Sequence, residues 1–179
     1  MTPETFPGVV LVGFMGSGKS SVGREIARKT GADFVDMDIW IEKKEGCTIK
    51  EVFSKGGEAA FRKMEKAALE QILAVKGRVV AAGGGAFLCD ENRKLMKAYA
   101  PVVYLEVNAE TVMRRLAGDE ERPLLQEVDK EAVVRDLLEK RIPEYRKADY
   151  AVSADGSPTD IAGLIIDFLD GWEGEAHDL

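Results

Sequence analysis

The chain has 179 residues, 45% of them hydrophobic and 32% charged, which suits one α/β domain with a full core and no linker to divide it. Its net charge of −7, with no stripe of Lys and Arg, argues against nonspecific nucleic-acid binding and against an anionic membrane surface. Two cysteines without CxxC spacing (Cys47 and Cys89) and a single histidine (His177) in a polar tail argue against a disulfide scaffold, a His-based triad and a histidine metal site.

In chain order, the N-terminus lacks an apolar run of signal length, and no stretch approaches the ~18 apolar residues that span a bilayer, so a cytoplasmic location is expected. Five short apolar runs, at 9–13, 33–36, 78–82, 101–107 and 149–153, read as strands buried on both faces. They alternate with stretches of helical periodicity, the pattern of βαβ units and a parallel sheet. Thr48-x-x-Glu51 has the form of a capping box opening a short helix to Phe53, which Gly56-Gly57 ends. A longer helix follows over 58–75. Residues 129–147 read as another, kinked or broken by Pro143. Ser157-Pro158 supplies a cap and an N1 proline for a last amphipathic helix. Between them, 118–128 is polar and without clean periodicity, a candidate mobile lid. The single domain is expected to span 1–179, with a polar tail at about 173–179.

The first run continues into "VGFMGSGKSS", which contains Gly13-x-x-x-x-Gly18-Lys19-Ser20 between a strand and a helix. Glycines let successive backbone N–H groups curl around a phosphate, and the helix dipole adds positive charge. Lys19 would reach the β- and γ-phosphates, and the Ser20 hydroxyl would ligate Mg²⁺. The motif implies a nucleoside triphosphate. The guanine-reading Asn-Lys-x-Asp motif and an ABC-type signature are both absent, and the short chain with its loop arginines favours a small kinase.

Asp36 and Asp38, two apart at the end of the second run, would face one cleft if both lie on the strand. One would serve the metal through water, and the other would take a proton from a substrate hydroxyl. Asp38 also reads as the N-cap of a helix beginning at Ile39. Arg62 and Glu65 stand one turn apart, the spacing of an ordinary solvated ion pair. Arg122 and Arg141 each precede a short apolar-proline stretch. "RVVAAGGGAF" ends the third run in Gly83, Gly84 and Gly85, either for a bend or for a ligand close to the main chain.

The motifs "GFMGSGKSSVGR", "FVDMDIWIE", "GEAAFRKME", "AAGGGAF", "VVYLEV", "RPLL" and "KRIPEYR" occur in an order that resembles the shikimate kinase family over nearly the whole chain. The resemblance implies a P-loop α/β sandwich of three layers, with a five-stranded parallel sheet in the order 2-3-1-4-5 and a mobile lid. It implies transfer of the ATP γ-phosphoryl group to the 3-hydroxyl of shikimate with Mg²⁺; a monomer is expected separately, since no long exposed apolar stripe is evident. By the same resemblance, Gly16, Ser17, Gly18, Lys19, Ser20 and Ser21 bind the ATP phosphates. Ser20, and Asp36 through water, hold the metal. Asp38 contacts the shikimate hydroxyls as general base, Arg62 and Arg141 clamp its carboxylate, and Gly84 offers a backbone N–H. Gly83 and Gly85 would permit the bend. Arg122 arrives on the lid to meet the transferring group, Arg115 lies near the adenine, and Ile49, Phe53, Phe61, Pro123 and Leu124 wall the pocket.

Two competing readings remain at this point. Another small-molecule P-loop kinase, such as a gluconate kinase, would share the ATP machinery. A nucleotide-binding regulator would have kept the fold without catalysis, although intact Lys19, Asp38, Arg62, Arg122 and Arg141 count against it.

Overall fold

Four consecutive apolar residues, Val9–Val12, form β1, and all four are buried. Such a run belongs at the centre of a parallel sheet, where both faces are covered and no polar alternation is called for. β1 indeed lies between β3 (Val79–Ala81) and β4 (Val102–Glu106), pairing in parallel with each. β2 (Phe34–Asp36) adds to β3 and β5 (Tyr150–Ser153) to β4, completing a five-stranded parallel sheet in the order β2-β3-β1-β4-β5. This is the expected order. The description covers residues 5–117 and 130–172 of a computed structural model. The expected lid, with Arg122, Pro123 and Leu124, and the polar tail with His177 lie outside the described residues.

The two outer strands depart from the expectation of burial on both faces. All three residues of β2 are half-buried, and Ala151 and Ser153 of β5 are exposed. Their place at the sheet edges gives each only one strand neighbour and incomplete helical cover.

The helices are α1 (Lys19–Thr30), α2 (Met37–Glu45), α3 (Ile49–Leu73), α4 (Asp90–Tyr99), α5 (Ala109–Arg115), α6 (Lys130–Tyr145) and α7 (Pro158–Asp170), with a 3₁₀ turn at Ala86–Leu88. α1 packs against α7, while α3, α4 and α6 meet around the 3₁₀ turn. The capping box is present: Thr48 Oγ1 accepts from the Glu51 N–H at 3.2 Å, and Glu51 Oε2 accepts from the Thr48 N–H at 2.7 Å. α3 is broken at Gly57, where φ is +67° and ψ −173°, so the glycine pair separates two helical stretches as expected. Pro143 does not break α6. The helix runs through it and ends two residues later at Tyr145.

Strand register places the functional segments. Asp36, Ala81, Leu11 and Val103 stand in one row across the sheet. β2 and β3 end in this row and β1 one residue beyond it, so the loops that follow these three strands open on one edge. Ligands of open α/β sheets bind beyond the carboxyl ends of the strands, and here that edge carries the Gly13–Ser20 loop, Asp36 and the three glycines.

Far from that edge, Tyr99 ties α4 to the chain entering β3. Its hydroxyl accepts from the Arg78 N–H at 2.8 Å and lies 3.2 Å from the Val75 carbonyl, to which it donates. Tyr99→Phe should lower stability by about 1–2 kcal/mol, read as a lower denaturation midpoint, because a partly buried N–H and C=O lose their partner. Catalytic constants of the folded variant should match the wild type.

Candidate active site

The loop from Gly13 to Ser20 curls because Gly16 and Gly18 adopt φ of +73° and +95°, which L side chains rarely do. Gly18 caps α1 without any side-chain hydrogen bond, so the first N–H groups of the helix have no side chain bonded across them. A helix N-terminus of this kind attracts anions. Lys19 folds back over the loop, donating to the carbonyls of Gly13 at 2.9 Å and Phe14 at 3.0 Å. Ser21 is exposed, while Ser17 is buried with an unpartnered hydroxyl.

Asp36 divides its carboxylate. Oδ1 accepts from the N–H groups of Asp38 and Ile39 at 3.1 and 3.3 Å, capping α2, and Oδ2 accepts from Ser20 Oγ at 2.5 Å. The helix cap is thus Asp36, not Asp38. The two aspartates also converge for a reason other than strand alternation: the strand stops at Asp36, and Asp38 lies in the first turn of α2. Freed from capping, Asp38 extends toward Gly83.

Arg62 and Glu65 form an ion pair at 2.7 Å that is far from solvated, since Glu65 is only 1% exposed. Arg62 NH2 reaches Glu58 at 3.2 Å as well. Burial raises the Glu65 pKa; Arg62 pulls it back, and the Asp38 charge raises it again. Two carboxylates therefore share one small space with a single guanidinium held between α3 neighbours.

The three glycines explain how that space exists. A Cβ on Gly83 would stand 2.8 Å from Glu65 Oε1 and 3.1 Å from Asp38 Oδ1, and one on Gly85 would stand 2.5 Å from both terminal nitrogens of Arg62. The expectation that Gly83 and Gly85 serve a bend needs correction. Neither has a positive φ, and what each provides is room for a charged side chain. Gly84 is different, as its Cβ would meet nothing closer than 3.7 Å. Its carbonyl accepts a hydrogen bond from Tyr145 Oη, with Arg141 NH1 at 3.5 Å from the same oxygen. Arg141 lies over the Phe14 ring, 5.6 Å from its centroid, which brings it beside the phosphate loop.

Arg115 bridges the two ends of the nucleotide side. NH1 donates to the carbonyls of Gly16 and Ser17, both at 3.2 Å, and NH2 to that of Ala154 at 2.7 Å. The Phe53 and Phe61 rings meet at a tilt of 34° with centroids 4.8 Å apart, and Ile49 packs on the same core.

A family profile described as shikimate kinase matches residues 15–170. The shikimate kinase of Persephonella marina is 46% identical over 159 residues, 88% of this chain and 96% of the relative. The chain belongs to the shikimate kinase family. A member from Acinetobacter baumannii, solved in complex with shikimate, superposes with a TM-score of 0.90 at 40% identity, covering 94% of this chain and 95% of that one. A gluconokinase from Sinorhizobium meliloti reaches a TM-score of 0.62 at 20% identity, with 93% of each chain covered. That likeness shows the fold alone.

Within this shikimate kinase fold, the expected residues assemble at one edge: Gly16 to Ser20, Asp36, Asp38, Arg62, Gly84, Arg115 and Arg141. Arg122 lies outside the described residues. Sequence reasoning missed Tyr145, whose only signal is its spacing four residues after Arg141 on the same helix.

Two outcomes follow from the packing. Gly83→Ala should destabilise the fold by about 1–3 kcal/mol through overpacking against Glu65, while Gly84→Ala should stay within about 0.5 kcal/mol of wild type in thermal or denaturant melts. The raised Glu65 pKa adds a pH dependence of definite sign. The folded protein binds that proton more tightly than the unfolded chain, so its stabilising contribution is full below about pH 4.5 and fades as pH rises through the folded value. Glu65→Gln removes that contribution, so melting temperatures across pH 4–7 should move relatively in the variant's favour as pH rises.

Proposed function

We propose that the chain transfers the γ-phosphoryl group of ATP to the 3-hydroxyl of shikimate, releasing shikimate 3-phosphate and ADP on the way to chorismate and aromatic amino acids. The observation that carries this is the convergence of Asp38, Arg62 and Arg141 around the glycine shelf beside the phosphate loop, in a chain of this family. A small carboxylate with several hydroxyls calls for arginine forks on one side and a carboxylate acceptor on the other.

Arg62 and Arg141 bind the substrate carboxylate, and the Gly84 N–H and Asp38 orient its hydroxyls. Asp38 accepts the proton of the 3-hydroxyl as the new O–P bond forms and the bond from Pγ to the bridging oxygen of ADP breaks. Lys19 leaves the Gly13 and Phe14 carbonyls to meet the phosphates, whose oxygens also take the loop N–H groups. Arg122 is assigned to the transferring group and Arg115, with the Ala154 carbonyl, to the edge of the nucleotide. Phosphoryl transfer is mostly positioning and electrostatic stabilisation, and this set supplies both.

Ser20 and Asp36 would hold Mg²⁺, Asp36 through water. A hydroxyl and a carboxylate 2.5 Å apart suit a hard cation that takes the rest of its shell from phosphate and water. When bound, the ion neutralises charge on the β- and γ-phosphates. No described helix is long and apolar enough to cross a membrane. We assign the enzyme to the cytoplasm as a monomer, supported by two free cysteines and by exposed large apolar residues that lie singly on separate elements.

Coupled ADP release with shikimate, gluconate, quinate and nucleoside monophosphates as acceptors should respond to shikimate. A rate indifferent to shikimate would sink the assignment. Asp38→Asn should lower kcat by about 10²–10⁴-fold with ATP binding nearly intact, as removal of a general base does. Loss of ATP binding would instead assign Asp38 to the metal or the fold.

A further inference from the structure

Tyr145 is fully buried at the end of α6, and its ring stacks on Tyr104 of β4 with centroids 5.2 Å apart and planes 22° from parallel. The Tyr145 hydroxyl donates to the Gly84 carbonyl and lies beside the Arg141 guanidinium. Burial raises the phenol pKa, against an opposing pull from Arg141, so at neutral pH the group is an O–H donor. One turn earlier, Arg141 NH1 is 3.5 Å from the same carbonyl, at the limit of a hydrogen bond. Two donors therefore share one oxygen, which has a lone pair for each, and the neutral one holds it more closely.

A guanidinium makes the stronger, charge-assisted hydrogen bond whenever the geometry allows it. Without the Tyr145 hydroxyl, the Gly84 carbonyl would be left to Arg141 alone and would draw its guanidinium closer to the shelf. We propose that the Tyr145 hydroxyl is a positioning group for substrate binding: by occupying the Gly84 carbonyl, it orients the shelf and leaves the Arg141 guanidinium to the substrate carboxylate. Tyr145 touches no reacting atom; it acts through Gly84 and Arg141. The inference rests on the functional reading above, in which Arg141 binds the carboxylate.

Tyr145→Phe tests it, because phenylalanine keeps the stack on Tyr104 and removes only the hydroxyl. In steady-state ADP release, KM for shikimate should rise about tenfold, with KM for ATP unchanged and kcat within about twofold, the signature of a lost ground-state contact to one substrate. Combined with Arg141→Lys, the two effects on kcat/KM should be non-additive, since both act on one guanidinium. An unchanged KM for shikimate, an equal rise in both KM values, full additivity, or a variant that does not fold would each overturn the proposal. The wild type separates the two levels of failure. Without shikimate-dependent turnover in the wild type, the functional reading falls and this inference with it; with normal wild-type turnover and an unaltered variant, only the role of Tyr145 falls.

Discussion

The site depends on how closely side chains approach one stretch of main chain. Gly83 and Gly85 each leave a gap of one methyl group, and those gaps are filled by the carboxylates of Glu65 and Asp38 and by the guanidinium of Arg62. A shelf with side chains would push these groups outward. The spacing of charges at the cleft is therefore set by the absence of two β-carbons, and every other contact is arranged around it.

Charge confined this closely has to be balanced. Glu65 is buried with one oxygen unpartnered, and its other oxygen holds Arg62 at 2.7 Å. An isolated buried carboxylate would be costly, but here the ion pair offsets part of the desolvation, and the proximity of Asp38 works the other way. The consequence is a guanidinium fixed in direction rather than one waving in solvent. Orientation of this kind makes a bidentate grip on a carboxylate possible without a large entropic loss on binding.

The phosphate loop is coupled to the same arrangement through Asp36. One of its oxygens caps α2 and so sets the direction of Asp38, while the other accepts from Ser20 at the start of α1. A single carboxylate thus ties the Ser20 hydroxyl of the phosphate loop to the helix carrying Asp38. Arg115 does the equivalent work on the far side, joining Gly16 and Ser17 to Ala154. The two substrate sides are not independent modules laid next to each other.

Much of this was legible in the chain. The apolar runs located all five strands, since a central parallel strand such as Val9–Val12 has no polar face to disguise it. The phosphate loop was readable because its glycines and Lys19 work over a few consecutive residues, and the Thr48 capping box for the same reason. What could not be read were relations between residues distant along the chain. Glu65 looked like half of a solvated pair, because helical spacing says nothing about what covers that face. Asp36 rather than Asp38 proved to be the cap, since the strand ended where register with Ala81 ended. Tyr145 carried no motif at all, its role arising only where α6 crosses the shelf 61 positions away in sequence. The sequence by itself determined the fold class, the phosphate loop and the identity of the charged groups, all of which rest on local pattern. Only the tertiary structure decided why three glycines stand together, because the reason is space, and space between distant segments exists only once they have packed.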